Sequence, residues 1–358
     1  MTVLIAGGGT GGHLYPGIAV ARALTSRASG VQVAFVGTAA GIEATVVPRE
    51  RFPLDLIRSA GLKGKSLGSV VRGLSLLPLS AWDAWRVITR RAPDVVVGVG
   101  GYSSGPVVAL AALRGIPTLV MEQNAAPGLT NRLLARVVRA AAVTFEASVA
   151  RFGSKAFVAG NPVRPEFFQP AAAHPSDRLR VLVFGGSQGA HAINAAMAAA
   201  AGELAASVPG VQVTHQTGPR DVQLVREAYQ RAGVDARVEP FLFEMHREMH
   251  AADVVVCRSG ATTLAELAAA GKAAILIPLP TATDDHQRAN AAAMAATGGA
   301  VLLDQRDADG ARLAREIAAL GNDPAARERM GQAAAALARP HAAAQIAARI
   351  LDLAGARA

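Results

Sequence analysis

The chain opens with the stretch Val3-Leu4-Ile5-Ala6-Gly7-Gly8-Gly9-Thr10-Gly11-Gly12-His13, in which an apolar run passes directly into glycines and a histidine. A second stretch of the same form, Val181-Leu182-Val183-Phe184-Gly185-Gly186, stands in the second half. A buried strand that ends in a glycine turn is typical of the start of a doubly wound parallel sheet. The repetition predicts an α/β fold with two Rossmann-like, doubly wound parallel-sheet domains.

The segments outside these two stretches favour the same fold. Short β-branched runs alternate with longer segments rich in alanine and leucine, which is the sequence form of βαβ units. The chain has 358 residues, of which 51% are apolar, and this is enough for two domains with real cores. The predicted strands are 2–6, 31–36, 95–98, 118–122, 142–144, 180–184, 212–216, 237–239, 254–257, 274–277 and 300–303.

The domain boundary is predicted at Gly160-Asn161-Pro162-Val163-Arg164-Pro165, because its two prolines lack amide hydrogens and its composition suits an exposed linker. This gives an N-terminal domain at 1–160, a linker at 161–166 and a C-terminal domain at 167–340. We expect residues 341–358 to form a last helix that packs back toward the N-terminal domain.

Composition limits the class of protein. The single cysteine, Cys257, cannot form an intramolecular disulfide and suits a reducing compartment, so cytoplasm is the default expectation. The first apolar run is broken at once by glycines, which disfavours a signal peptide, and no apolar stretch is long enough to span a membrane. The net charge of +9 favours an anionic partner, whether nucleic acid, phosphorylated substrate or membrane surface.

The first glycine stretch satisfies the dinucleotide fingerprint G-x-G-x-x-G with Gly7, Gly9 and Gly12. An NAD-binding domain would also need an acidic residue at the end of the second strand, but the first acid there is Glu43, beyond that strand. Glycines between a strand and a helix still let backbone amides approach an anion. Two further loops of this kind, 98–106 and 185–190, strengthen the prediction of phosphate binding.

Other sites that the residue pattern suggests are disfavoured by spacing. Gly64-Lys65-Ser66 ends like a P-loop, but Ser59 stands where that motif needs its first glycine. The acidic pair Asp307 and Asp309 precedes a helical segment and is better explained as helix capping. No set of three metal ligands is evident, so we expect no bound metal.

Seven motifs, taken in order, resemble those of the MurG family of N-acetylglucosaminyl transferases, which convert lipid I to lipid II in peptidoglycan synthesis. The resemblance spans nearly the whole chain. It rests on residues 8–13, 100–106, 122–124 with 127–131, 160–164, 185–190, 258–266, and 285–287 with 290–291.

The resemblance implies a GT-B fold, in which two Rossmann-like domains face each other across a cleft, and an inverting transfer from UDP-N-acetylglucosamine to lipid I. The donor would sit mainly on the C-terminal domain, with no cofactor, and the acceptor on the N-terminal one. Helix amides at the third glycine loop would stabilise the departing diphosphate. The donor-binding residues that it implies are Thr10, Gly11, Gly12, Asn124, Arg164, Ser187, Gln188, Gly189, Leu242, Ala261, Thr262, Thr263, Leu264, Ala265, Glu266 and Gln287, and the acceptor residues are Gly101, Tyr102 and Ser104.

Inverting transfer needs a base that removes the proton of the attacking hydroxyl. His13 is the first candidate, since an imidazole can be neutral near pH 7 and accept a proton. Glu122, at the end of a predicted strand, is a rival base. The sequence leaves the choice between these two residues open.

A basic and apolar segment, residues 63–91, contains both tryptophans of the chain. Basic residues beside exposed apolar groups suit an anionic bilayer, although a core helix with a basic rim would have the same pattern. The resemblance favours the membrane, because the undecaprenyl tail of lipid I stays there. The predicted membrane residues are Leu76, Leu79, Trp82 and Trp85.

The resemblance therefore implies a peripheral protein on the cytoplasmic face of the plasma membrane. Its partners would be UDP-N-acetylglucosamine, undecaprenyl-linked lipid I and the anionic inner-membrane surface, with no nucleic acid. Two alternatives are a UDP-sugar 2-epimerase of the same fold and a nucleotide-binding module without turnover. The Gly-Gly-Tyr loop and the tryptophan segment disfavour the epimerase, and His13 with the full donor set disfavours the module.

Overall fold

The structure is a computed structural model that describes residues 1–59, 76–169, 178–186 and 189–355. It divides into two compact units. Unit 1 comprises Met1–Val163 together with Arg339–Ala358, and unit 2 comprises Arg164–Ala338. The chain first passes from unit 1 to unit 2 between Val163 and Arg164, and the last helix belongs to unit 1.

Unit 1 is built from alternating strands and helices. Its strands are β1 (Thr2–Gly7), β2 (Gln32–Gly37), β3 (Leu54–Leu56), β4 (Val95–Gly100), β5 (Thr118–Glu122), β6 (Ala140–Val143) and β7 (Ala156–Val158). Its α-helices are α1 (Gly11–Arg27), α2 (Glu43–Arg49), α3 (Leu77–Arg91), α4 (Ser104–Leu113), α5 (Leu129–Leu134), α6 (Val149–Phe152) and, at the end of the chain, α14 (Ala342–Gly355).

Unit 2 repeats this alternation. Its strands are β8 (Arg180–Phe184), β9 (Gln212–Gln216), β10 (Asp235–Glu239), β11 (Val254–Cys257), β12 (Ala273–Leu276) and β13 (Val301–Leu302). Its α-helices are α7 (His191–Ser207), α8 (Val222–Ala232), α9 (Met245–Ala251), α10 (Ala261–Ala270), α11 (His286–Ala295), α12 (Gly310–Gly321) and α13 (Pro324–Ala335).

Both sheets are parallel and doubly wound. The strand order is β3-β2-β1-β4-β5-β6-β7 in unit 1 and β10-β9-β8-β11-β12-β13 in unit 2. The direction of winding reverses between β1 and β4 in the first sheet and between β8 and β11 in the second. Ligands of such sheets bind at the carboxyl ends of the strands beside this switch point. The prediction of two Rossmann-like parallel-sheet domains is confirmed.

The predicted strands agree with the structure at most positions, and strands 118–122, 180–184, 212–216 and 254–257 have the predicted bounds. Two strands of unit 1 were not predicted, β3 and β7. Each has three residues and lies at an edge of the sheet. So short a segment carries no visible periodicity, and it becomes a strand only through pairing with its neighbour.

The core of each unit lies between its sheet and the covering helices. In unit 1, α14 supplies Ile346, Ile350 and Leu353 to the same apolar cluster as Val3 and Ile5 of β1. Burial of these side chains explains why the end of the chain belongs to unit 1. Among the described helices, none is long and apolar enough to cross a membrane.

Candidate functional site

The two glycine loops of unit 1 touch each other at the switch point between β1 and β4. The amide of Gly8 donates to the carbonyl of Gly100 at 3.4 Å. A Cβ at Gly101 would lie 2.5 Å from the carbonyl oxygen of Gly8, and Gly101 has φ +82°. Only glycine allows this approach of the two backbones. The packing of the two loops therefore requires some of the glycines that the sequence analysis assigned to ligand binding.

His13, the candidate base, lies in the first turn of α1 beside these loops. Its Nδ1 is 3.0 Å from the hydroxyl oxygen of Thr10. The other edge of the ring faces Gly100, where an added Cβ would lie 2.4 Å from the ring carbon Cδ2. The position of the imidazole is thus fixed on one side by Thr10 and on the other by a residue that must lack a side chain.

Glu43 holds the first glycine loop in place. Its buried carboxylate accepts hydrogen bonds from the amide of Gly9 at 2.7 Å and from the amide and hydroxyl of Thr38 at 2.8 and 3.0 Å. An added Cβ at Gly8 or Gly41 would lie 2.5 or 2.1 Å from this carboxyl group. Glu43 is therefore the anchor of the loop, a role that sequence reasoning missed when it considered this acid only as a ribose ligand.

Glu122, the rival base, is 2% exposed at the end of β5. One carboxylate oxygen accepts from the amide and the side chain of Asn124, at 3.0 and 3.2 Å. The other accepts from the amide of Gly128 at 3.0 Å and from Asn131 at 2.9 Å. Burial raises the pKa of Glu122, and these four hydrogen bonds oppose the rise. The arrangement orders the loop that carries Asn124.

The other residues predicted in unit 1 differ in their exposure. Tyr102 is 52% exposed, and its carbonyl accepts from the hydroxyl of Ser59 at 3.0 Å. Ser104 is fully buried, with its hydroxyl 2.6 Å from the position of a Cβ at Gly98. This burial argues against contact between the Ser104 side chain and an acceptor. Thr10, Gly11 and Gly12 line the start of α1 and are wholly or partly exposed.

Helix α3 of unit 1 presents an apolar and basic surface. Trp82 is 59% exposed, Trp85 46% and Leu79 41%, whereas Leu76 is only half-buried. The guanidinium of Arg114 lies over the Trp85 ring at 4.6 Å from its centroid. The opposite face of α3 is buried against the sheet. The helix therefore has apolar side chains on both its inner and its outer face. The remaining predicted residues, 63–75, lie outside the described part of the chain.

In unit 2, the third glycine loop follows β8 at the switch point with β11. Gly189 has φ +73°, and a Cβ there would lie 1.9 Å from the carbonyl oxygen of Thr217. The amide of Gly189 donates to Gly186 at 3.0 Å, and α7 begins just beyond, at His191. Ser187 and Gln188, which are predicted to contact the diphosphate, lie outside the described residues.

The predicted donor motif 261–266 forms the start of α10, with Gly260 before its first turn. Ala261 and Leu264 are buried, and Thr262, Thr263, Ala265 and Glu266 are partly exposed. The guanidinium of Arg164 lies 3.8 Å from the Glu266 carboxylate and also over the ring of Phe167 at 5.0 Å. Burial raises the pKa of Glu266 to about 7, and the charge of Arg164 opposes this rise. The structure thus brings together Arg164 and Glu266, two residues that the resemblance assigns to the donor.

Two other predicted donor residues already have partners inside unit 2. The side-chain oxygen of Gln287 accepts from the amide of Leu279 at 3.0 Å, so its nitrogen is the atom that can donate to a sugar. The amide of Leu242 donates to the side-chain oxygen of Gln216 at 2.8 Å. The carbonyl of Leu242 is therefore the group on this residue that suits a nucleobase.

Arg258 was quoted in the resemblance without a role. Its guanidinium is buried and donates to the carbonyls of Ile277 and Pro278 at 3.0 Å and to the side chain of Gln305 at 2.7 Å. It ties the loop after β12 to the start of α10. The burial of this arginine is not visible in the sequence, so the sequence alone could not indicate its role. Among the described residues, no group of three or more His, Cys, Asp or Glu side chains could hold a metal ion.

Comparison with known proteins finds matches over both units. The model of the glycosyltransferase family 28 N-terminal domain matches residues 3–143, and that of the glycosyltransferase family 28 C-terminal domain matches residues 180–346. These limits enclose the glycine loops of both units, His13 and the Arg258–Glu266 segment.

Relatives with curated names cover nearly the whole chain. The chain is 47% identical to the UDP-N-acetylglucosamine–N-acetylmuramyl-(pentapeptide) pyrophosphoryl-undecaprenol N-acetylglucosamine transferase of Anaeromyxobacter sp. (strain K), over 99% of this chain and 93% of the relative. It is 46% identical, with the same coverage, to the enzyme of that name from Myxococcus xanthus (strain DK1622). The crystal structure of Acinetobacter baumannii MurG superposes with a TM-score of 0.81 at 31% identity, over 98% of this chain and 99% of that one. The chain therefore belongs to glycosyltransferase family 28, and within it to the MurG family.

Proposed function

We propose that the chain is an inverting glycosyltransferase that moves N-acetylglucosamine from UDP-N-acetylglucosamine to the C4 hydroxyl of the N-acetylmuramoyl unit of lipid I, forming lipid II. The names of its relatives support this substrate pair. The observation that carries the proposal is the pairing of Arg164 with the partly buried carboxylate of Glu266 at the switch point of unit 2. A carboxylate so placed can accept hydrogen bonds from both ribose hydroxyls at once.

The rest of the donor is assigned by the same reasoning. The diphosphate lies at the third glycine loop, where the amides at the start of α7 and a helix dipole of roughly half a positive charge stabilise the leaving group without a metal. The carbonyl of Leu242 accepts from N3–H of uracil, because its amide is held by Gln216. Gln287 donates to the sugar, and Asn124 of unit 1 is the second sugar-reading residue.

His13 is the base in this proposal. As the C4 oxygen attacks the anomeric carbon, its proton passes to the imidazole, and the bond from the anomeric carbon to UDP breaks with its electron pair leaving on the diphosphate. The fixed ring between Thr10 and Gly100 favours this role. The four hydrogen bonds that Glu122 accepts favour a structural role for that carboxylate instead.

Donor affinity should depend on pH through Glu266. We expect the KM for UDP-N-acetylglucosamine to rise as the pH falls from about 8 to about 6, because a protonated carboxyl cannot accept from both ribose hydroxyls, and the pKa is about 7. Initial rates across this range measure the effect. The control is Glu266→Gln, which should raise the KM by about tenfold at about pH 8 and should keep that KM as the pH falls. An unchanged slope in that variant would assign the titration to another group.

The outer face of α3 is proposed to dock on the anionic cytoplasmic surface of the plasma membrane, which places the protein there as a peripheral partner of undecaprenyl-linked lipid I. Indole rings suit the bilayer interface, and the neighbouring arginines suit anionic headgroups. Exposure of Trp82 and Trp85 supports the proposal.

Vesicle binding tests this surface. We expect sedimentation with anionic vesicles that weakens as salt is added, and an affinity lower by roughly tenfold or more in the double variant Trp82→Ala, Trp85→Ala, because the buried indole area is lost. Phe243→Ala is the matched control, since Phe243 is an exposed aromatic residue, 85% exposed, in unit 2. Equal binding to neutral vesicles, or an equal loss in the control, would contradict the assignment.

The reaction itself is tested by release of UDP from UDP-N-acetylglucosamine, with and without a lipid I analogue. Release that requires the analogue supports the transferase. Conversion of the donor to its C2 epimer in the absence of any acceptor would support the epimerase instead, and binding without turnover would support the non-catalytic module.

A further inference from the structure

The carboxyl end of β9 holds a side chain that links two parts of the proposed donor site. Gln216 donates from Nε2 to the carbonyl of Gly186 in the third glycine loop, at 2.9 Å. Its Oε1 accepts from the amide of Leu242, at 2.8 Å. The residue is 2% exposed, and its hydrogen bond to Leu242 is buried, whereas its hydrogen bond to Gly186 is partly buried. These partners fix the orientation of the side-chain amide. In the reverse orientation its NH2 group would face the N–H of Leu242, and its oxygen would face the carbonyl oxygen of Gly186.

The two neighbours of Gln216 are also held firmly. The carbonyl of Thr217 accepts from Nδ2 of Asn194 at 2.8 Å, and it is the atom that excludes a side chain at Gly189. His215, on the other side, is fully buried and lies 3.0 Å from Oδ1 of Asn194 and 3.0 Å from the hydroxyl of Tyr229. The end of β9 is therefore a rigid support.

The direction of hydrogen bonding in this support follows from the acceptors. Nδ2 of Asn194 must face the carbonyl of Thr217 and the carboxylate of Asp221, which is 2.7 Å away. Oδ1 of Asn194 then faces His215, so Nε2 of His215 carries the proton and Tyr229 donates to Nδ1. Burial lowers the pKa of His215 to about 3, which keeps the ring neutral over the working pH range.

We propose that Gln216 is a positioning residue for the donor, which fixes the spacing between the third glycine loop and the nucleobase segment at Leu242. The inference rests on the proposed function, since it takes the diphosphate to lie at the loop and uracil at Leu242. A nucleoside diphosphate has a set distance between base and diphosphate. One buried amide that binds both contact segments keeps them at that distance before the donor arrives, which lowers the ordering cost of binding.

Steady-state kinetics with UDP-N-acetylglucosamine and a lipid I analogue test the proposal. Gln216→Met keeps the length and burial of the side chain and removes both hydrogen bonds. We expect its KM for the donor to rise about tenfold, with kcat changed by less than about threefold, because the loss falls on donor binding. The matched control is Gln212→Met at the amino end of the same strand, where Gln212 binds Asp235 at 2.9 Å, and its KM should stay at the wild-type value.

Gln216→Glu gives a second and independent measurement. The introduced carboxyl can still accept from Leu242, but it donates to Gly186 only when it is protonated. The ratio of its donor KM to that of the wild type should therefore fall as the pH falls from about 8 to about 6, and the ratio removes any pH effect of Glu266. If Gln216→Met does not fold, this ratio decides the question alone.

The outcomes separate the two proposals. A wild-type protein that releases no UDP in the presence of the acceptor analogue overturns the proposed function. The positioning role is overturned if the wild-type protein turns over but Gln216→Met has the donor KM of the wild type or of the Gln212 control. It is also overturned if the KM ratio of Gln216→Glu does not vary with pH.

Discussion

His13→Ala is expected to lower kcat by a factor of about a hundred to ten thousand, while the KM for UDP-N-acetylglucosamine changes by only a few-fold. The reason is that, in the proposed mechanism, the imidazole removes the proton of the acceptor hydroxyl and makes no contact that the donor needs in the ground state. The measurement is acceptor-dependent release of UDP under saturating donor. A rate that stays within a few-fold of the wild type would eliminate His13 as the base.

Two further variants separate the base role from general damage to the loop. Thr10→Val removes the hydroxyl that lies 3.0 Å from Nδ1 and keeps the shape of the side chain, so a smaller loss, of roughly tenfold, is expected. Gly100→Ala introduces a Cβ against the ring, at a backbone φ of +98°, and should displace the imidazole. If His13 acts as the base, the loss of kcat follows the order His13→Ala, Gly100→Ala, Thr10→Val.

Glu122→Gln is expected to lower the free energy of unfolding by roughly 3 kcal/mol or more, the second large effect. The replacement turns one carboxylate oxygen into an NH2 group, which then faces two N–H donors in a buried site. Urea unfolding of the variant measures the loss. In this variant the loop that carries Asn124 loses its order, which weakens sugar binding. We therefore expect the KM for the donor to rise and kcat to change little.

The same variant tests the rival assignment of the base. If Glu122 were the proton acceptor, Glu122→Gln would lose kcat by two orders of magnitude or more without a matching loss of stability. Glu146→Gln, which changes an exposed glutamate of unit 1, is the control for the chemical change alone. A stability equal to that of the control would contradict the structural role proposed for Glu122.

The strand-to-glycine stretches at Val3 and Val181 were sufficient to predict both sheets, because a long buried strand and its turn are encoded locally. The edge strands β3 and β7 were not predictable in this way, since three residues carry no pattern of their own. The resemblance assigned Arg164 and Glu266 separately to the donor, but it did not predict that the two side chains pair.

The supporting residues of the site escaped prediction for a related reason. Gln216 links Gly186 and Leu242, which are 30 and 26 positions away along the chain. Glu43 reaches back 34 positions to Gly9. These contacts depend on strand order and on backbone N–H and C=O groups, which have no signature in side-chain composition. A buried polar residue can be noticed in a sequence, but its partner is set by the tertiary fold.

The carboxylate of Glu43 occupies the position at the first glycine turn where a ligand phosphate would accept a backbone hydrogen bond. In a nucleotide-binding Rossmann domain, the amides of the first glycine turn point at a ligand anion, whereas here the amide of Gly9 is already satisfied by an anion that belongs to the chain. The carboxylate of Glu43 also places a negative charge beside this turn, which disfavours a second anion there. We infer that the first glycine turn of unit 1 binds phosphate poorly, so that the diphosphate of the donor favours the glycine loop of unit 2.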